Sequence, residues 1–190
     1  MRTTILVDAA YLDGLAFDIT VNFERMLERR VNKLDLSRWV DYVALDAGLR
    51  PDDADAEVQV VMVYPPSAKT LKNCLPAHLD TELNATAIRT NIAEFQFASC
   101  CAEEDFVTTG DLYCQSLSAL AGSEDARLMV LVADTGAYAS ELRRAIAEVP
   151  KQAETILFAP DAVAGFRCRQ EILTYSMMAA MDIKSEEIMK

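Results

Sequence analysis

Leu128-Met129-Val130-Leu131-Val132-Ala133 runs as an unbroken apolar stretch and stops at Asp134. A short run of this kind predicts a strand buried on both faces. Thr3-Thr4-Ile5-Leu6-Val7, stopping at Asp8, reads the same way. Val58 to Tyr64 is a third such strand, closed by Pro65-Pro66. Strands covered on both faces belong to a parallel sheet with helices on each side.

The rest of the chain supplies those helices. Residues 9 to 34 read as a loop followed by a helix over about 22–33. Leu36, Trp39, Val40, Val43 and Ala44 recur at helical spacing, and Gly48 stops that helix. Pro51 to Asp55 reads as a turn. Residues 68–84 are helix-prone and broken near Pro76. Ile92 to Cys101 has strand character, and a helix runs from Gly110 to about Ala121. Residues 138–148 form an amphipathic helix, Glu154 to Phe158 another strand, and the tail from Asp161 a mostly helical segment. The expected fold class is α/β, a three-layer α/β/α Rossmann-like arrangement with a mainly parallel central sheet. One domain accounts for 190 residues.

Composition narrows the function. There are 18 basic and 30 acidic residues, a formal charge of −12, which argues against a broad duplex-gripping surface. No apolar run approaches the roughly 20 residues of a membrane-spanning helix, so no membrane partner is expected. The opening segment reads as a strand, not a secretion signal. The five cysteines then read as reduced thiols in a cytoplasmic protein. His78 is the lone histidine and cannot belong to a multi-histidine site.

In an open parallel sheet, sites form outside the carboxyl ends of the strands. Asp8 and Asp134 stand there, each closing an apolar strand. Asp105 and Asp111 lie in a stretch that has acids and no Lys or Arg between Arg89 and Arg127. Asp111 has two readings of equal weight, a helix cap or a metal ligand. No glycine-rich phosphate loop is present, which removes the main support for NAD or P-loop nucleotide chemistry. Carboxylates without histidine favour a hard cation, Mg²⁺ or Mn²⁺.

The order of these features resembles the NYN branch of the PIN-like nuclease superfamily. Ile5-Leu6-Val7-Asp8-Ala9-Ala10-Tyr11-Leu12 is similar to that family's opening strand and Asp-Gly-x-Asn-Leu. Leu34 to Tyr42 resembles its helix leading into the second strand. Asp105 to Leu112 resembles its central Val-Asp with an Asp six residues on. Leu131 to Tyr138 resembles its Ser-Gly-Asp-Ser-Asp-Phe segment. The similarity spans roughly residues 3–160. It implies a PIN-like domain over 1–160, with 161–190 as a helical extension packed on the same domain. Ala9 and Tyr11 replace the family's Gly and Asn, and Thr135 and Ala137 fall where aspartates are expected.

The resemblance implies a metal-dependent ribonuclease hydrolysing RNA phosphodiester bonds. Asp8, Asp111 and Asp134 would be catalytic. Together with Asp105 they would bind Mg²⁺ or Mn²⁺, which lowers the pKa of a bound water and offsets leaving-group charge. Tyr11, Lys69, Thr109, Thr135 and Arg143 are the candidate contacts to single-stranded RNA. The departures from the motifs support an alternative: a catalytically inactive PIN-like module for RNA or protein binding, or for assembly. A third reading is a different Mg²⁺-dependent enzyme acting on a small phosphate ester. A homodimer or a protein partner fits any of these.

Overall fold

The computed structural model describes residues 2–50, 57–103 and 105–188. The expected turn at 51–55 and Glu104 lie outside them. The chain forms an α/β fold on a mixed seven-stranded sheet. Its elements are β1 (Arg2–Asp8), α1 (Ala9–Leu27), β2 (Leu34–Asp35), α2 (Leu36–Ala47), β3 (Glu57–Tyr64), β4 (Cys74–Leu75) and β5 (Thr86–Arg89). They continue with β6 (Glu94–Cys101), α3 (Thr109–Ala121), β7 (Ala126–Val132), α4 (Ala139–Glu148), β8 (Glu154–Ala159), β9 (Arg169–Ile172), α5 (Leu173–Ala180) and α6 (Ser185–Ile188).

The strand order is β5-β6-β3-β1-β7-β8-β9. All neighbours are parallel except β5, which runs antiparallel to β6. β1 sits at the centre, with Ile5 opposite Val60 on one side and Val130 on the other. Chain progression reverses there: β3 and β6 lie to one side, β7, β8 and β9 to the other. This doubly wound order creates a crevice between β1 and β7 at their carboxyl ends.

Alternate residues of each strand feed opposite cores. Ile5, Val7, Val60, Val130 and Phe158 pack with α1, α2 and α5 on one face. Leu6, Val61, Leu131 and Leu157 pack with α3 and α4 on the other. Near-continuous apolar strands are therefore needed, and each fully buried large aliphatic side chain contributes roughly 1.5–3 kcal/mol. Leu36, Trp39, Val40, Val43 and Ala44 are the buried stripe of α2, and Gly48 closes it at φ 109°.

Several expectations need correction. Residues 9–21 are helix, not loop: α1 starts directly after β1 because Asp8 caps it, and its buried side is Ala9, Leu12, Ala16 and Ile19. That helix stops at Leu27, where Glu28 turns left-handed, so 28–33 is not helical. Residues 68–84 hold no α-helix: a 3₁₀ turn over Pro66–Ala68 ends there, followed by an isolated Thr70–His78 bridge, β4 and a single π turn over Leu79–Leu83. Asp13 organises this stretch, accepting bonds from the amides of Lys72 (3.1 Å) and Asn73 (2.7 Å). The tail also departs from the expectation of a mostly helical extension, since β9 pairs in parallel with β8 and adds a strand to the same sheet. No helix among the described residues is long and apolar enough to cross a membrane.

Candidate functional site

Asp8 ends β1 and begins α1, so its backbone is fixed by the central strand and its side chain faces the crevice. It is only 4 % exposed. One carboxylate oxygen accepts the Tyr11 amide at 3.1 Å, and the other accepts the Tyr138 hydroxyl at 2.9 Å. Burial pushes the Asp8 carboxyl up, the two hydrogen bonds pull it down, and the negative charge of Asp134 raises it again; the balance is upward.

Asp134 follows β7. Its Oδ1 accepts the amides of Gly136 and Ala137, both at 2.9 Å, which folds the chain into a tight turn before α4. That turn places Tyr138 between the two aspartates. The Tyr138 hydroxyl donates to Asp8 and accepts the Asp134 amide at 3.3 Å. Its ring lies 5.7 Å from that of Tyr113, whose hydroxyl donates to the Leu6 carbonyl at 2.9 Å. Gly110 passes against the Tyr138 ring so closely that a Cβ there would sit 2.8 Å from it.

Around this network opens a cleft of about 770 Å³, within the usual range for small-ligand sites. Asp8, Asp134, Tyr11 and Thr109, four residues that the sequence singled out, all line it. Tyr11 is half-buried on its wall, and burial together with the charges of Asp134 and Asp8 pushes its hydroxyl up to about 12.

The other candidates stand elsewhere. Asp111 is exposed and forms a capping box with Thr108: its amide donates to the Thr108 hydroxyl at 3.1 Å, and its carboxylate accepts that hydroxyl at 2.7 Å. It lines a separate groove between α3 and α4 with Cys114, Glu141 and Arg144. Asp105 is exposed in a turn. Lys69 lies 3.7 Å from Asp80 in an ion pair. Thr135 sits in the turn after Asp134, outside the cleft lining. Arg143 rests over the Phe166 ring, 5.0 Å from its centre.

Thr108, which the sequence offered with Thr109 as a hydrogen-bond donor, lines the cleft as well; Asp18, Gly14, Leu15 and Pro65 also line it and were not singled out as site residues. The signal for three of them was present. Once Asp8 is read as a helix cap, Tyr11, Gly14, Leu15 and Asp18 fall at i, i+3, i+4 and i+7 on one face.

A divalent ion bound wholly by protein needs several oxygen donors together. Among the described residues, no three His, Cys, Asp or Glu side chains are grouped to hold one ion. Asp8 has both oxygens engaged, and Asp105 and Asp111 stand outside the cleft. The donor set present does not fit an ion held by all four aspartates.

A model described as "Family of unknown function (DUF6621)" matches residues 1–188. The chain belongs to this family. No curated protein and no solved structure matches the chain. The family match spans the cleft, the tyrosine network and β9 alike, so the DUF6621 chain is one matched unit from β1 to α6.

Proposed function

We propose that the chain is a non-catalytic member of the PIN-like, three-layer α/β/α class, and that its switch-point cleft serves recognition in an assembly rather than RNA hydrolysis. One observation carries this. Asp8 spends its carboxylate on capping α1 and on Tyr138, while Asp105 and Asp111, which a ligand cluster would require, lie outside the cleft. A cytoplasmic setting suits the five free thiols.

The ribonuclease reading is favoured by a different fact. Asp8 and Asp134 both line the cleft, and Mg²⁺ can be held by one or two carboxylates when substrate phosphates supply other oxygens. Bound there, Mg²⁺ or Mn²⁺ would activate water toward the RNA phosphodiester.

One experiment separates the two. Wild type and Asp8→Asn are titrated with Mn²⁺ by calorimetry, and both are incubated with single-stranded RNA in Mn²⁺ and in Mg²⁺. The recognition reading expects no RNA cleavage and no Mn²⁺ heat that depends on Asp8. Cleavage present in wild type and lost in Asp8→Asn would overturn it and establish the nuclease.

A further inference from the structure

The cleft is lined by carboxylates. Asp8, Asp18 and Asp134 line it, and among the described residues no Lys, Arg or His does. Lys69, the basic residue that the sequence offered for phosphate contact, is paired with Asp80. A phosphate chain entering such a cleft meets repulsion from each carboxylate. A guanidinium or ammonium group is attracted there. It would also relieve the repulsion between Asp8 and Asp134, and it could stack on the half-buried ring of Tyr11.

The surface beside the cleft supplies an independent observation. On α1, Phe17 is 52 % exposed and Val21 is 49 % exposed. They continue the face of Gly14 and Asp18 away from the cleft, being three and seven residues beyond Gly14 on the helix. Phe106, two residues before the cleft residue Thr108, is 84 % exposed. Large apolar side chains left open next to a cleft mark a surface that another molecule covers.

We infer that the cleft and the adjoining face of α1 form a docking site for a protein segment that lays an arginine or lysine side chain against Asp18 and Asp134 in the cleft and flanking apolar side chains on Phe17 and Val21. Charge complementarity decides for such a segment over a nucleic acid. The cleft is acidic, and the chain carries a net charge of −12. Arginine suits the site best, because its planar fork bonds a carboxylate and stacks on a tyrosine at once. This inference rests on the recognition reading.

The test is an NMR titration of ¹⁵N-labelled protein with the acetylated, amidated tripeptide leucyl-arginyl-leucine. A second peptide carries norleucine in place of arginine, and a third probe is a short oligouridylate. The proteins are wild type, Asp18→Asn and Phe17→Ser, both substitutions being at exposed positions. The arginine peptide is expected to shift the amides of Tyr11, Gly14 and Ala137 saturably. Affinity should fall about tenfold in Asp18→Asn, fall again in added salt, and weaken in Phe17→Ser. Equal shifts with the norleucine peptide, no shifts with the arginine peptide, or the same shifts with oligouridylate would each overturn the proposal. RNA cleavage on adding Mn²⁺ to the same samples would overturn the recognition reading itself. Failure of the arginine peptide without cleavage would overturn only the basic-segment site.

Discussion

Asp8 is a charged group held where charge is disfavoured. An asparagine there keeps its one oxygen for the Tyr11 amide, turns its NH₂ toward the Tyr138 oxygen, which then accepts instead of donating, and removes the buried charge. Asp8→Asn should therefore melt at or above the wild-type temperature at pH 7, while Asp8→Ala should lose about 1–3 kcal/mol through the missing cap and the orphaned tyrosine hydroxyl. The pH dependence has a defined sign. The folded pKa lies above the ordinary 3.8, so the folded state holds this proton more tightly. The cost of Asp8 is absent below 3.8 and grows as pH rises through the folded value. The advantage of Asp8→Asn over wild type should follow that rise in chemical melts at stepped pH, and a constant difference would contradict it. Asp8 and Asp134 could be singled out in the sequence because each closes an apolar strand. Asp111 had two readings there, and the capping box is the one formed, since its carboxylate meets Thr108 within its own first turn.

α3 and α4 meet where Gly110 lets the Tyr138 ring approach. Gly110→Ala should cost about 1–3 kcal/mol, because the added methyl meets the ring rather than open space. Shortening the ring in Gly110→Ala/Tyr138→Leu should recover part of that loss, giving a coupling energy in a double-mutant cycle; strictly additive losses would rule out the contact. At α1, Asp13 ties the helix to the segment before β4. Asp13→Ala should speed hydrogen exchange at the Lys72 and Asn73 amides while leaving β1 protected. The apolar stripe of α2 was legible because Leu36, Trp39, Val40, Val43 and Ala44 face one core. The start of α1 was not, because its first turns mix Tyr11, Asp13 and Gly14 with the apolar residues and the signal lay in the cap.

The molecule is closed by long-range polar contacts that periodicity does not register. Arg29, just past α1, grips Glu187 of α6 through two bonds of 2.8 Å, and Arg38 in the first turn of α2 meets Asp182, in the turn between α5 and α6, at 2.9 Å. The Arg29 guanidinium holds Glu187 down at about 2, against an ordinary 4.5. A depressed carboxyl stabilises above its unfolded value, and that contribution disappears as pH falls from 4.5 toward 2. Proteolysis within 182–188 should accelerate across that window in wild type, and Glu187→Gln should cleave readily already at pH 7. Resistance of Glu187→Gln equal to wild type would show that the clasp does not hold the tail.

The sequence by itself determined the α/β class, the three central strands and the carboxylates that close two of them, because apolar runs and strand-ending acids are local and each residue declares its own burial. Tertiary structure decided which acids share a cleft. Asp8 and Asp134 come from strands more than a hundred residues apart that the switch of strand order places side by side, and Tyr138 joins them only because the Asp134 turn aims it back at β1. It decided, too, that the tail contributes β9. A short edge strand such as Arg169–Ile172 has no apolar run of its own, and it exists through the hydrogen bonds that β8 offers it.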